Sequence, residues 1–293
     1  MSPRCSCRDP IRLPSEVASG SEVHGRPEEA FQDADVVVHL AFLIVGGNRE
    51  TTRAVNVEGT INAFRAAAAP GARRFVYAPS VAAYGFHRDN PVGMTEEWPV
   101  RRADRLFYAQ AKAKLEHLLL LLEEAAAHPD IALYLLRPSI VLGPHTVGAK
   151  LNLPGALAPL TRALQRRPRR LPVPVPAVIP DIPVQFVHED DVGWALVQCV
   201  VAAGPPGAYN IAADDVLSSV DVAREVGVLP LPVPGAPAHA AARLVSRLPF
   251  LPSAAQWVEA ASHPAIMDTT RAKTELGWTP RHSARVALRD ALG

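Results

Sequence analysis

The sequence predicts an α/β protein built on a doubly wound parallel sheet. Residues 35–41 and 131–141 are nearly continuous apolar runs, which are typical of strands buried on both faces of a parallel sheet. Residues 51–69 and 108–127 lie between such runs and have the composition of helices. Because strands alternate with helices along the chain, we expect helices to cover both faces of the sheet.

The remaining elements follow from shorter patterns. Acidic residues 189–191 precede a helix, since the helix dipole favours negative charge at the first turn. The proline-rich residues 171–177 are predicted to form an extended loop. In chain order, the predicted strands are residues 35–41, 74–78, 131–141, 184–187 and 209–211. The predicted helices are residues 51–69, 108–127, 192–203, 218–227 and 283–292.

Composition excludes several classes of protein. A hydrophobic content of 48% indicates a globular chain, and 293 residues suffice for one or two domains. The net charge of +1 provides no electrostatic footprint for nucleic acid. No apolar run reaches the roughly 18 residues of a membrane helix. Three cysteines form neither a disulfide framework nor a zinc site, so the sequence predicts a cytoplasmic protein without a metal.

Tyr108 and Lys112 are the strongest candidates for chemistry. They stand four residues apart in a predicted helix, so they lie on one face, one turn from each other. An ammonium close to a phenol stabilises the phenolate and lowers the tyrosine pKa, as proton transfer near neutral pH requires. Ser80 follows the apolar residues 75–78 and could bring a hydroxyl to the same place from a strand end. The spacing alone is common, so the surrounding residues decide its meaning.

Other polar residues have simpler explanations. Tyr84 is a second phenol, but no lysine follows it at four residues, so it is a weaker acid/base candidate. His39 lies in an apolar run and is predicted to be a core histidine, or one that supports the site, rather than a ligand. Acidic residues 189–191 could resemble metal ligands, but a helix N-terminus explains them without a metal. Gly143 and Gly148 are spaced like a phosphate loop but lack the lysine directly after the second glycine.

Eight stretches of the chain, from about residue 33 to the end, together resemble the extended short-chain dehydrogenases/reductases of the NAD-dependent epimerase/dehydratase family. These stretches are residues 37–41, 56–60, 80–85, 108–112, 137–144, 186–192, 209–211 and 276–280. The resemblance implies a Rossmann-like core at residues 33–144 and 184–203. It also implies a substrate-binding region at residues 145–183 and 204–293, and it leaves residues 1–32 as an atypical N-terminal segment.

The resemblance implies roles for individual residues. Tyr108 would be the acid/base, Lys112 would lower its pKa and hold the ribose of the nicotinamide, and Ser80 would hydrogen-bond the reacting oxygen. Ala41 would allow close approach of the cofactor, and Asn56 would brace the neighbouring helix and strand. The cofactor, NAD or NADP, would supply the hydride chemistry. The residues implied in cofactor binding are Leu40, Ala41, Phe42, Asn56, Ala78, Tyr108, Lys112, Arg137, Pro138, Ser139 and Ile140.

The chain departs from the family before its first strand. Family members hold the cofactor pyrophosphate with a Gly-x-x-Gly-x-x-Gly turn between a strand and a helix. Residues 1–35 contain Gly20 and Gly25 but no such pattern. We therefore expect an N-terminally truncated sheet and weakened cofactor binding. Two interpretations stay open: a truncated enzyme, and a cofactor-free, non-catalytic relative that acts as a binding or partner protein.

The substrate and the assembly are less constrained. Nucleotide-sugar epimerases of the family usually carry an arginine close to the position of Val184. Its absence favours a small-molecule substrate that is smaller or more apolar than a nucleotide sugar. The leucine-rich residues 118–122 make the 112–127 helix apolar on more than one side. That face would either pair with its copy in a homodimer or be covered by the C-terminal region.

Overall fold

The computed structural model describes residues 31–41, 54–87, 89–101, 108–146, 175–225, 227–233 and 265–293. For residues 108–117, 175–180, 228, 232 and 233 the description is limited to the backbone. Phe42, one of the predicted cofactor contacts, lies outside the described residues. None of the described helices is long and apolar enough to cross a lipid bilayer.

The described strands are β1 (Val36–His39), β2 (Arg74–Tyr77), β3 (Ala132–Pro138), β4 (Ile140–Leu142), β5 (Val175–Pro180), β6 (Pro183–His188), β7 (Gly207–Ile211), β8 (Val216–Ser218) and β9 (Val228–Val233). The described helices are α1 (Gly59–Ala68), α2 (Tyr108–Ala127), α3 (Glu189–Val200), α4 (Ser219–Glu225), α5 (Thr270–Thr274) and α6 (Ala284–Leu292). A π-helical turn, Ala54–Glu58, leads into α1, and a 3₁₀ turn, Val81–Tyr84, follows β2.

The main sheet is parallel and has the strand order β1-β2-β3-β7. On one face, α1 and α2 pack around the fully buried side chains of Phe64, Phe75 and Leu121. On the other face, α3 and the C-terminal segment pack around Tyr209 and Trp278. This burial on both faces confirms the predicted doubly wound α/β sheet and explains why its strands are apolar runs.

A second sheet continues from the end of β3. Ser139 donates its N–H to the carbonyl of Ile211 at 2.9 Å, and the chain then leaves the main sheet. The predicted strand 131–141 is therefore two strands, β3 and β4. β4 pairs in parallel with β6, and β6 pairs antiparallel with β8. β7, which the predicted division assigns to the substrate-binding region, is the last strand of the main sheet among the described residues.

The proline-rich segments form a two-stranded sheet. β5 and β9 pair in parallel, with Val175 opposite Val228 and Pro180 opposite Val233. The prediction of a loop at residues 171–177 is therefore wrong for residues 175–177. Proline has no N–H to donate, but its φ suits an extended chain, so it is tolerated in strands that keep one edge free.

Two helices differ from their predicted boundaries. α3 begins at Glu189 rather than at residue 192, because His188 caps it. His188 Nδ1 accepts the N–H of Asp190 at 3.1 Å and so satisfies one of the unpaired amides of the first turn. In the predicted helix 51–69, the α-helical part begins only at Gly59, after the π-helical turn.

Gly85 and Gly93 allow a prediction about close packing. Both have positive φ, +69° and +84°, but a Cβ on Gly85 would lie 2.5 Å from His87 Nε2, whereas a Cβ on Gly93 meets nothing within 4 Å. We expect Gly93→Ala to lose about 1 kcal/mol of unfolding free energy because of its backbone alone. Gly85→Ala should lose about 2 kcal/mol more, for two reasons. With φ +69° and ψ 169°, Gly85 has a backbone conformation that is nearly restricted to glycine, and an added methyl group would clash with His87. Urea denaturation of both variants measures the difference, and equal losses would contradict both reasons.

Candidate functional site

The carboxyl ends of β1, β2, β3 and β7 meet at one edge of the main sheet, where open α/β sheets bind their ligands. Leu40 and Ala41 follow β1 and are exposed. Ala78 and Ser80 follow β2 and are half-buried, and Ser139 follows β3 and is buried. Predicted contacts from three separate strands therefore lie along the same edge.

Ser80 is positioned by the 3₁₀ turn that it caps. Its Oγ accepts the N–H of Ala82 at 3.3 Å, and its carbonyl accepts the N–H of Ala83 at 3.0 Å. Because Oγ acts as an acceptor in this bond, its proton can be donated to a ligand. The turn thus presents a half-buried hydroxyl at the end of β2, as the sequence predicts for a strand-end serine.

α2 is the helix that carries Tyr108 and Lys112. Tyr108 is its first residue, and Lys112 follows one turn later. The helix packs against the 3₁₀ turn that Ser80 caps and against the π-helical turn that contains Asn56. The backbone therefore brings the three segments of the predicted site together. The side chains of Tyr108 and Lys112 lie outside the described part of the structure, so their convergence with Ser80 stays a prediction.

His39 connects β1 to the start of α1. Its Nε2 lies 2.8 Å from Thr60 Oγ1, and Thr60 Oγ1 donates to the carbonyl of Asn56 at 3.1 Å. The only hydroxyl proton of Thr60 is used in that bond, so the proton between His39 and Thr60 must belong to Nε2. Burial lowers the pKa of His39 to about 4. Neutral His39 therefore donates a hydrogen bond to Thr60, and Thr60 donates to the carbonyl of Asn56. Together these two bonds connect β1 to the start of α1.

Tyr84 lies in a buried hydrogen-bond network. Its hydroxyl donates to Asn210 Oδ1 at 2.7 Å and accepts from Arg137 Nη1 at 2.8 Å. The residue is fully buried, and burial raises its pKa. A phenol without solvent access, engaged both as donor and as acceptor, is poorly placed to exchange a proton with a substrate. This environment supports the lower weight that the sequence gives to Tyr84 as an acid/base.

Glu96 extends this network, and the sequence pattern assigns it no role. Its Oε1 accepts the N–H of Asn210 at 2.7 Å, and its carbonyl accepts from Arg137 Nη1 at 3.1 Å. Burial raises the pKa of Glu96. Glu96 and Asn210 are 114 residues apart in the chain, so no local pattern could reveal that they meet.

Ser139 tests whether the sheet edge fits a nicotinamide cofactor. The residue is 4% exposed, and its Oγ has no hydrogen-bond partner among the described residues. A buried hydroxyl without a partner costs free energy, so an amide of a ligand at this place would satisfy it. The next residue, Ile140, is 43% exposed. This end of β3 therefore fits a cofactor, whereas the sequence before β1 contains no glycine-rich turn for a pyrophosphate.

The acidic residues 189–191 have separate structural partners. Glu189 Oε1 lies 2.6 Å from His145 Nδ1. Asp191 is fully buried, and its carboxylate accepts the N–H groups of Arg281 and His282, each at 3.0 Å. Asp191 thereby fastens the C-terminal segment to α3.

A metal could still be considered at His188, Asp190 and His282, whose ligand atoms lie within 4.8 Å of one another. However, His188 Nδ1 already accepts a hydrogen bond as the cap of α3. The rings of His188 and His282 are stacked, with centroids 4.1 Å apart and an interplanar angle of 25°. An ion cannot lie in the planes of two stacked rings at once. The geometry therefore favours capping and stacking over metal ligation.

His39 gives the structure a predictable pH dependence. Its folded pKa of about 4 lies below the value of 6.5 for a free histidine. Between these values the unfolded chain binds a proton that the folded chain does not. The resulting stability is complete above pH 6.5 and is lost as the pH falls towards 4. We expect a loss of about 1 kcal/mol per pH unit in this window.

His39→Gln isolates this contribution, because glutamine can still donate to Thr60 but does not titrate. Denaturant unfolding between pH 4.5 and pH 7.5 should show a shallower slope for the variant than for the wild-type protein. Identical slopes would contradict the proposed burial of neutral His39.

The chain matches the model of the NAD dependent epimerase/dehydratase family over residues 24–212, which is more than half of its length. An uncharacterized protein of Mycobacterium tuberculosis is 29% identical over 263 residues, and one of Sinorhizobium fredii is 28% identical over 272 residues. These matches cover 88% and 87% of this chain but 65% and 61% of the relatives. The chain therefore spans less than two thirds of the length of the curated relatives that it matches.

Solved structures show the same fold. UDP-glucose 4-epimerase of Thermotoga maritima, determined with UDP-glucose, has a TM-score of 0.64 at 17% identity, over 91% of this chain and 79% of the epimerase. The enzyme WbmG of Bordetella bronchiseptica, determined with NAD and UDP, has a TM-score of 0.62 at 19% identity, over 91% and 74%. At these identities the likeness shows a Rossmann-like fold. From its match to the family model, the chain belongs to the NAD-dependent epimerase/dehydratase family.

Proposed function

We propose that the protein is an NAD(P)-dependent oxidoreductase of the epimerase/dehydratase type that acts on a hydroxyl or carbonyl group of a small molecule. The observation that carries the proposal is the packing of α2 against the Ser80-capped turn and the Asn56 turn. This packing supports a site that draws Tyr108 and Lys112 to the carboxyl edge of the sheet. The complex of WbmG with NAD supports a nicotinamide cofactor as the ligand.

In this proposal each residue acts on a stated group. Tyr108 transfers a proton to or from the substrate oxygen, and Ser80 donates a hydrogen bond to the same oxygen as negative charge develops on it. Lys112 lowers the pKa of Tyr108 and binds the ribose next to the nicotinamide. When bound, the cofactor supplies the hydride chemistry. Ser139 binds the amide of the nicotinamide through its buried hydroxyl.

The other predicted contacts would line the same edge. Ala41 and Ala78 leave space for the cofactor, because alanine is the smallest side chain that the strand ends could carry apart from glycine. We propose that the main chain, rather than the side chain, of Arg137 faces the cofactor. The guanidinium donates instead to Tyr84 and to the carbonyl of Glu96.

The substrate is proposed to bind between the sheet edge and the predicted substrate-binding region, residues 145–183 and 204–293, apart from β7, which belongs to the main sheet. Val184, at the position where nucleotide-sugar epimerases usually carry an arginine, is half-buried and packs near Leu217. It provides no charge for a diphosphate, which favours a smaller or more apolar substrate than the UDP-glucose of the Thermotoga enzyme. Saturable binding of UDP at micromolar concentration, measured by calorimetry, would contradict this choice.

A homodimer is proposed through α2. Leu118 and Leu121 are buried in the core, whereas Leu119 and Leu122 remain 49% and 42% exposed. Two copies could bury these leucines against each other. Sedimentation equilibrium of the wild-type protein and of Leu119→Glu distinguishes a dimer from a monomer, and a monomeric wild type would overturn the proposal.

A second candidate function is a cofactor-free relative that binds a partner protein. It is favoured by the absence of a Gly-x-x-Gly-x-x-Gly pattern before β1. Within the described residues, β1 also has no neighbour on its outer edge. The retention of Tyr108, Lys112 and Ser80 together favours the enzyme.

Titration with NADH and with NADPH, followed by nicotinamide fluorescence, tests the enzyme proposal. We expect one of the two nucleotides to bind at micromolar concentration. Lys112→Ala should weaken that binding about tenfold, because losing a hydrogen bond from a charged donor costs about 1.5 kcal/mol. Tyr108→Phe should leave the affinity nearly unchanged, because its hydroxyl is proposed to act on the substrate.

Lys114→Ala is the matched control. It removes a lysine from the same helix at a position about 200° around the axis from Lys112. We expect no change in nucleotide affinity for this variant. Equal effects at Lys112 and Lys114 would refute the role of Lys112, and absence of binding up to millimolar nucleotide would refute the enzyme.

A further inference from the structure

Arg137 is a buried cation in an unusual position. It is 5% exposed, and none of the ion pairs among the described residues includes its guanidinium; burial raises the pKa of the Glu96 carboxyl, and the charge of Arg137 opposes that rise. Burying a charge without an ion pair is costly unless hydrogen bonds compensate for the lost hydration. The residue therefore needs an explanation beyond packing.

The hydrogen bonds of Arg137 connect two segments that are distant in the chain. Nη1 donates to the Tyr84 hydroxyl at 2.8 Å and to the carbonyl of Glu96 at 3.1 Å. The guanidinium also lies over the ring of Tyr84, 4.9 Å from its centre. Nε is buried and has no partner in the described residues. One nitrogen thus ties the 3₁₀ turn to the loop around Glu96, while another donor is left unsatisfied.

Both segments lie next to groups of the candidate site. Tyr84 ends the 3₁₀ turn that Ser80 caps by accepting the N–H of Ala82. Ser139, whose hydroxyl has no partner in the part of the chain that the structure describes, follows the end of β3, two residues after Arg137. A clamp between Arg137 and Tyr84 therefore fixes the distance between the two serines. Burying the charge of Arg137 costs free energy, so the clamp is better explained by the position in which it holds the turn than by a gain in stability.

We propose that Arg137 is a positioning residue that holds the turn of Ser80 in register with Ser139 by donating to both Tyr84 and Glu96. It acts through these residues and not by touching the ligand. The part of this inference that concerns ligand binding rests on the proposed function. The part that concerns the turn does not.

Arg137→Met and Arg137→Lys separate the clamp from simple packing. Methionine fills the space without a donor, whereas lysine supplies a cationic donor that can reach one or both acceptors. If Arg137 acts as a clamp, Arg137→Lys should keep the amides of the Ser80 turn better protected from exchange than Arg137→Met does. A packing role predicts the reverse order. Tyr84→Phe removes the acceptor, and it also removes the donor to Asn210 Oδ1, so it should loosen the turn at least as much as Arg137→Met does. Tyr134→Phe is the control, because its hydroxyl donates to the carbonyl of Gly204 and not to a group of this network.

The first readout is amide hydrogen exchange without any ligand. In Arg137→Met and Tyr84→Phe we expect exchange at the amides of Ala82 and Ala83 to become about tenfold faster, which corresponds to about 1.4 kcal/mol. The amides of β3 at residues 133–135 should keep their rates. Arg137→Lys should show a smaller change in the turn, and Tyr134→Phe none. Equal acceleration in the turn and in β3, or an unchanged turn, would overturn the proposal.

The second readout is NADH affinity by fluorescence titration of the same variants. We expect Arg137→Met to weaken binding about tenfold and Arg137→Lys to weaken it less. The losses from Arg137→Met and Tyr84→Phe should be less than additive, because both variants remove the Arg137–Tyr84 hydrogen bond, while each also removes one bond of its own, to Glu96 or to Asn210. Additive losses, or a stronger loss with lysine than with methionine, would overturn the positioning role. If the wild-type protein binds neither NADH nor NADPH, the proposed function fails, and the exchange rates still decide whether the clamp exists.

Discussion

The carboxyl edge of the main sheet depends on the buried amide of Asn210. Its Oδ1 accepts the Tyr84 hydroxyl, and its Nδ2 donates to the carbonyls of Met94 and Asp268 at 3.0 and 3.1 Å. The oxygen and both donor hydrogens of this amide are therefore engaged. A group left unpaired in this fully buried place would cost about 1–3 kcal/mol. Three segments from different parts of the chain are thus fixed together at the end of β7.

A second side-chain amide, that of Gln185 in β6, binds the backbone of a distant segment in the same way. Gln185 Nε2 donates to the carbonyl of Met267 at 3.1 Å, and Gln185 Oε1 accepts its N–H at 3.0 Å. Met267 also forms a bridge with Met94. The side chain of Gln185 therefore binds both backbone hydrogen-bonding groups of Met267, its N–H and its carbonyl. Polar side chains on β6 and β7, rather than apolar contacts alone, therefore hold the segments around Met94 and Met267 in place.

The strands of the main sheet could be predicted from the sequence because burial on both faces makes them apolar runs. The end of α2 at Ala127 also agrees with its prediction. The division between β3 and β4 could not be predicted, because the chain stays extended and apolar while it changes its pairing partner. β5 and β9 could not be predicted either, because they contain prolines, which normally indicate loops. These failures arise where pairing with a distant segment overrides a local pattern.

The candidate site shows the same limit. Tyr108, Lys112 and Ser80 can be identified from spacing and family resemblance, because their chemistry depends on residue type. The supporting residues Glu96 and Asn210 cannot, because their roles come from partners far away in the chain. The resemblance implies that Arg137 contacts the cofactor, whereas its Nη1 donates to the Tyr84 hydroxyl and to the carbonyl of Glu96. Resemblance identifies which residues matter more readily than it identifies what each side chain contacts.

The central claim is that a phenol, an amine and a hydroxyl meet at the sheet edge beside a nicotinamide. A crystal structure of the protein grown with NADH tests it at three atoms, Tyr108 Oη, Ser80 Oγ and Lys112 Nζ. We expect the two oxygens to lie within about 5.5 Å of each other, since each would be about 2.7 Å from one substrate oxygen. Lys112 Nζ should face the ribose of the nucleotide. Oxygens separated by more than about 10 Å, too far for one substrate oxygen to bridge, or a lysine turned away from both, would contradict the claim.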